Sequence, residues 1–322
     1  MRRFTISPPI AALILAVVLF LLSGLLPNSY GSDVKVALSQ ATNILRLSVF
    51  LGVIAAGQTL VIISGFEGID LSAGSIVTLT AILTYVLVKG QDNMVLPALL
   101  VSLVVGALIG LLNGAGITFL KISPFVMTLG MSGVVTGAII ILNHGNVSGK
   151  VAPIMTRLIA RPIAPGIPIP NVIIIWIVFG ILMWLLLERT TFGKNLFAIG
   201  VNRVTAKLSG VNVTRMNLST YALAGLLAGF GGFLLVGNTG VVLIQLGQPY
   251  LFPSIAAVAV GGTLLSGGKG SYWGSMAGAI VLTLITSLLT TMQMPDSVRR
   301  MVLGGTLLIL ISIYGRQRAL RQ

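Results

Sequence analysis

The sequence predicts an all-α polytopic membrane protein of about ten transmembrane helices, with an inverted repeat. Three observations predict it. Only 8% of the 322 residues are charged while 56% are apolar, against about 25% charged in a soluble domain. Ten apolar runs of near-span length follow one another, and a bilayer core takes about 20 helical residues. Two sets of four runs, 44–143 and 216–315, have the same extent. No hydrophilic segment is long enough to form a separate soluble domain. Residues 1–322 therefore read as one transmembrane domain, and any ATP-hydrolysing domain belongs to another polypeptide.

The first run, 8–27, follows Arg2 and Arg3 and precedes Ser23-Gly24, a pattern shared with secretory signal peptides. Its length favours a full span over the shorter apolar core of such a peptide. The remaining expected spans are 44–64, 72–89, 94–120, 122–143, 170–188, 216–237, 251–266, 272–293 and 298–315. The run 251–266 is short and glycine-rich at its end; 94–120 is long enough to tilt.

Orientation follows from Lys and Arg in the connections. With the N-terminus inside, twelve of them fall inside and eight outside, and the largest cluster (Arg189, Lys194, Arg203, Lys207, Arg215) lies inside with the basic tail. Both termini and a structured loop at about 189–215 are therefore expected on the cytoplasmic side. The five-span offset between the two sets of four reverses the second relative to the first, as in an inverted-topology repeat with a pathway between halves. Many of the 39 glycines fall within spans, such as Gly106, Gly110 and Gly114, or Gly225, Gly229 and Gly232. They suit close helix approach.

Catalytic ingredients are scarce. There is no cysteine, and the one histidine, His144, sits at a span end, so neither catalytic nor metal-ligating residues are assigned. The six acidic residues, Asp33, Glu67, Asp70, Asp92, Glu188 and Asp296, all fall in connections or at span edges. Proton- or sodium-coupled carriers place such groups at membrane depth. The stretch GTLLSGGK (262–269) misses the phosphate-loop pattern, because Gly270 follows Lys269 where Ser or Thr is required.

In NRVTAKLSG (202–210), Asn202 can cap a short helix and Gly210 can end it. Val204 and Leu208 then share one face, and Arg203 and Lys207 an adjacent one. Such a helix either lies in a groove of a partner, presenting Val204, Ala206 and Leu208, or rests on the headgroups. In GFEGIDLSAG (65–74), Asp70 is expected in a cytoplasmic loop, accepting from N–H groups two or three residues on as a helix cap. Gln58, Thr59, Asn113 and Thr128 are polar residues at expected membrane depth. They either line a solute pathway or bond neighbouring helices. The proline-rich outer connection 143–170 carries Lys150, Arg157 and Arg161 and is a candidate contact for an acidic partner surface.

Four motifs in order, GIDLSAG (68–74), NGAGITFLKISPFVMTLG (113–130), TFGKNLFAIGVNRVTAKLSGVNV (191–213) and SIAAVAVGGTLLSGGKGSYWGSMAGA (254–279), resemble the ribose-type permease subunits of bacterial ATP-binding-cassette (ABC) sugar importers. The resemblance covers nearly the whole chain. It implies a type II ABC importer fold in the bacterial inner membrane, a second permease copy, two cytoplasmic ATPase subunits that carry the ATP and Mg, and an external solute-binding protein. It makes 191–210 the loop whose coupling helix (Asn202, Arg203, Val204, Ala206, Lys207, Leu208, Ser209, Gly210) docks into the ATPase. No cofactor in this chain and no nucleic-acid partner is implied. The chain departs from the family at Gly200-Val201-Asn202-Arg203, at Leu251-Phe252-Pro253-Ser254 and at Glu67, which leaves the solute unspecified. The expectation is a permease subunit for a sugar or sugar-like solute, working by alternating access. The alternative is a secondary carrier or facilitator of small polar solutes without ATPase partners.

Overall fold

The computed structural model describes residues 7–26, 31, 33–66, 68–143, 147–164 and 167–319. His144 and Glu67 lie outside the described residues. The helices are α1 (Pro8–Ser23), α2 (Val34–Ile63), α3 (Ala73–Val88), α4 (Val95–Phe119), α5 (Pro124–Asn143), α6 (Pro153–Ile159), α7 (Asn171–Trp184), α8 (Thr191–Val201), α9 (Arg203–Leu208), α10 (Val213–Thr239), α11 (Leu251–Val260), α12 (Tyr272–Thr291) and α13 (Asp296–Ala319). Two short antiparallel strands, β1 (Pro162–Ala164) and β2 (Ile167–Pro170), lie between α6 and α7.

Among the described residues, α2, α4, α5, α7 with its helical continuation to Arg189, α10 and α12 are long and apolar enough to cross a membrane, while α1, α3 and α11 are shorter apolar helices. Six helices of that length, not ten, are found among the described residues. The expected span 251–266 is the clearest correction, because α11 stops at Val260 after 10 residues. Ten residues rise about 15 Å, half of a bilayer core. The helix stops because Gly261 and Gly262 follow, the latter at φ 87°, and a tight turn closes with Leu264 N–H donating to Lys269 O. The expected span 44–64 errs the other way. Helix α2 starts ten residues earlier, where the Asp33 carboxylate accepts from the N–H groups of Lys35 and Val36. Half of those extra residues are polar (Lys35, Ser39, Gln40, Thr42 and Asn43), so an apolar window does not see them.

Packing carries the repeat. Helix α3 packs on α4 and α5, and α11 packs on α12 and α13; α10 packs on α3 and α4, and α2 packs on α11 and α12. Exchanging α2–α5 with α10–α13 maps these contacts onto themselves. The two exchanged helices α2 and α10 touch each other and run antiparallel, since Gly57 faces Ala224 while Ile54 faces Gly231. An operation that swaps antiparallel helices inverts one repeat relative to the other, as the five-span offset predicts.

The most extensive contact, α4 against α10, is built from backbone. Gly106 and Gly110 of α4 abut Gly225 and Gly229 of α10, and a Cβ at Gly110 would collide with the Tyr221 carbonyl. Lipid tails are as apolar as leucine, so helices in a bilayer are held by close van der Waals contact and by weak Cα–H···O bonds that small residues allow. Gly110→Val is expected to destabilise the protein in detergent by at least about 1–3 kcal/mol through overpacking. Gly137→Ala, with open space around its Cβ position, is expected to stay within about 0.5 kcal/mol. Thermal unfolding of the two purified variants checks the difference.

Candidate functional site

The chain does not pass directly from α2 to α3. After Gly65, at φ 72°, it folds back so that Asp70 lies beside Gln58, five residues before the end of α2. Backbone that leaves a helix inside the protein exposes N–H and C=O groups that must find partners. Here they are side chains. The Gln58 amide donates to Asp70 O at 2.6 Å and accepts from Asp70 N–H at 3.2 Å. The Thr128 hydroxyl accepts from Leu71 N–H at 3.0 Å. The Asp70 carboxylate accepts from Ser72 N–H at 2.9 Å and from Ser72 Oγ at 2.5 Å, and Asn113 Nδ2 donates to Ser72 Oγ at 2.8 Å. Asp70 therefore accepts two residues on, as a cap does, but it is buried at 1% exposure and not in an aqueous loop.

Gln58, Asn113 and Thr128 hold this re-entrant segment, while the Thr59 hydroxyl bonds Ser275 Oγ at 2.7 Å and ties α2 to α12. All four are buried, and none lines the cleft described below.

At the α8–α9 end of the bundle three connections meet through glycine. Gly65 touches Gly200, Gly200 abuts Ile63 O and Gly268, and Gly267 abuts Gly65. Gly268 N–H also donates to Ile63 O at 2.9 Å. A Cβ at Gly200 would meet two backbones at once, so the end of α8 sits directly on loops from both repeats.

The polar loop holds two helices where one was expected. Thr190 Oγ1 accepts from Gly193 N–H and starts α8, and Asn202 Oδ1 accepts from Val204 and Thr205 N–H at 2.9 and 3.0 Å and starts α9. Gly210, at φ 87°, follows Ser209 and ends it. Val204 and Leu208 are 69% and 84% exposed, an apolar face without cover in the protomer. Ala206 is 4% exposed, which corrects its expected place on that face. Two residues advance a helix by about 200°, so Ala206 turns to the body when Val204 and Leu208 turn away. Arg203 also turns inward, whereas Lys207 stays exposed. Burial lowers the Arg203 pKa from its usual value and the Tyr221 phenol raises it; arginine starts so high that the guanidinium stays charged.

The second re-entrant feature lies in the other repeat. After α10 ends at Gly240, φ 72°, the chain returns so that Gly247 and Gln248 lie against Gly74, and Thr78 Oγ1 accepts from Gly247 N–H at 3.0 Å. The starts of the two short helices, α3 and α11, thus meet. Beside their junction is a cleft of about 250 Å³ lined by Ser75, Thr78, Thr136, Ile139, Ile244, Gln245 and Gln248. Its polar groups are hydroxyls and amides, with no charge. Reading the sequence by apolar runs passed over it. The pair Gln245 and Gln248, in a short polar break between two runs, was the available signal.

Asn113→Leu removes the donor to Ser72 and is expected to cost about 1–3 kcal/mol of stability. Gln58→Leu should cost a similar amount, and the double variant less than the sum, because both act on one segment. Thermal unfolding of the three variants measures this.

The chain matches, over residues 40–311, the family described as the permease component of branched-chain amino acid transport systems. It is 33% identical over 279 residues to the ribose import permease protein RbsC of Bacillus subtilis (strain 168), covering 86% of this chain and 84% of that one. It is also 33% identical over 329 residues to the autoinducer 2 import system permease protein LsrD of Yersinia enterocolitica, covering 100% and 94%. The galactose/methyl galactoside import permease protein MglC of Salmonella typhimurium is 33% identical over 292 residues, with 86% of each chain covered. No solved structure matches. With that match over most of its length and these relatives, the chain belongs to the polytopic ABC permease family, alongside the sugar import permeases.

Proposed function

We propose that this chain is the membrane-spanning subunit of an ATP-driven importer that moves a sugar or sugar-like solute through the cleft where α3 and α11 begin. The observation that carries this reading is the chemistry of that cleft. A polyol needs several hydrogen-bond donors and acceptors and no strong field, and Ser75, Thr78, Thr136, Gln245 and Gln248 offer hydroxyls and amides without a charge. Discontinuous helices meeting between inverted repeats are where transporters bind their solutes.

The energy source is a separate ATPase, which carries the ATP and Mg. It docks on α9 through Val204 and Leu208, with Lys207 beside them, at the cytoplasmic face where both termini also lie. A second permease copy completes the transporter. On the outer face Arg157 and Arg161, both exposed, meet acidic groups of a solute-binding protein. Closure of the ATPase dimer draws the two α9 helices together, and the repeats rock about the cleft.

Gln245→Leu and Gln248→Leu are expected each to lower uptake per assembled transporter about three- to tenfold at limiting solute, the effect of one lost hydrogen bond. Uptake in reconstituted vesicles measures it, and unchanged uptake in both variants would remove the cleft from the pathway. Val204→Asp with Leu208→Asp should abolish co-purification of the ATPase, because a charge buried without a partner costs several kcal/mol. In intact cells, uptake should continue after the proton gradient is collapsed while ATP is maintained.

A further inference from the structure

Arg203 is the one charged residue of α9 that joins Ala206 on its inward side. Val204, Thr205, Lys207 and Leu208 are exposed, whereas Arg203 turns into the body. One guanidinium nitrogen, Nη2, donates to Asn217 Oδ1 at 3.0 Å, and the guanidinium lies over the Phe66 ring, 4.4 Å from its centroid. Asn217 belongs to α10, in the second repeat. Phe66 belongs to the connection from α2 to α3, in the first. One side chain therefore ties the surface helix to both repeats.

Phe66 itself is unusual. Its φ is 58°, a conformation that is a steric outlier for a bulky residue, and it is 59% exposed. Burial of its ring does not hold such a residue; the turn closed by Gly68 N–H on Gly65 O and the cation–π contact with Arg203 do. From Phe66 the chain leads within a few residues to Asp70, Leu71 and Ser72, whose polar groups are fixed by Gln58, Thr128 and Asn113. That segment runs straight into α3, whose Ser75 and Thr78 line the cleft. A shift of α9 against α10 is thus delivered to Phe66 and, along a braced segment, to the start of α3.

We propose that Arg203 is a positioning residue for transport: it passes the movement of α9, through Phe66 and the 68–72 segment, to the wall of the cleft. The proposal rests on reading α9 as the docking helix. Arginine suits the role because a planar guanidinium stacks on a ring and donates a directed hydrogen bond at once, which a lysine ammonium does not.

The test uses the whole transporter, with its ATPase and solute-binding protein, in proteoliposomes, reading ATPase binding, ATP hydrolysis and solute uptake per assembled complex. Arg203→Met and Phe66→Leu should each keep the ATPase bound while solute moved per ATP falls about tenfold, a factor worth about 1.4 kcal/mol. Arg203→Lys should recover part of the loss. The double variant should be no worse than either single one, as for two residues in one contact. An unchanged ratio of solute to ATP in Arg203→Met overturns the proposal. Loss of ATPase binding in that variant overturns it too, because Arg203 would then act in docking. Retained ATPase binding in the Val204→Asp, Leu208→Asp variant sinks the docking reading itself, which is a separate result.

Discussion

The architecture depends on satisfying backbone polar groups where the chain leaves a helix inside the protein. A peptide group without a partner costs several kcal/mol in an apolar surrounding, so a break between α2 and α3 is possible only with dedicated donors and acceptors. Gln58 supplies both at once, bonding the N–H and the C=O of Asp70. Thr128 from α5 and Asn113 from α4 complete the set. Three helices thereby converge on one short segment, and the position of α3 follows from them. Moving α3 as a unit then means moving a braced segment, not bending a helix.

The two repeats solve the same problem with different chemistry. In the first, buried side chains hold the 68–72 segment. In the second, the 240–250 segment is held by its own turns, with Leu246 N–H on Leu243 O and Gln248 N–H on Gln245 O, and by Thr78 of the first repeat. The second segment is therefore more exposed and contributes Gln245 and Gln248 to the cleft. Pseudo-symmetry of packing coexists with asymmetry of hydrogen bonding, and that asymmetry gives the cleft one braced wall and one lighter one.

What was legible in the sequence follows from the range of each signal. The Asn202 cap, the left-handed Gly210 and the acceptor role of Asp70 are local, and each takes the geometry its residue type dictates. The repeat was legible in the spacing of apolar runs. Apolarity, however, cannot tell a full span from a half helix continued by apolar turns, so 251–266 read as one span although α11 ends at Val260. The four buried polar residues of the first repeat stood out by composition, yet their partners are up to 216 residues away for Thr59 and are set by tertiary packing. The facing of Ala206 was within reach of helical periodicity. Two residues from both Val204 and Leu208, Ala206 turns away from their face, and its small side chain lets α9 lie close to its own protein.

The glycine junction at the α8–α9 end bears on how force enters the bundle. Gly65, Gly200, Gly267 and Gly268 bring three backbones into contact without side chains between them. Backbone packed on backbone has no rotamers through which to yield, so a push on α8 reaches the first repeat at Gly65 and the second at Gly267 and Gly268 together. Side-chain contacts, by contrast, choose a direction. Arg203 reaches Phe66 on one side and Asn217 on the other, and only the first leads into a segment that ends at the cleft wall. The junction thus ties the two repeats together at the α8–α9 end, while the arginine links α9 separately to the segment that leads into α3. A transporter that must open one side while closing the other needs both: a stiff seat for the partner and a separate, directional link to the solute.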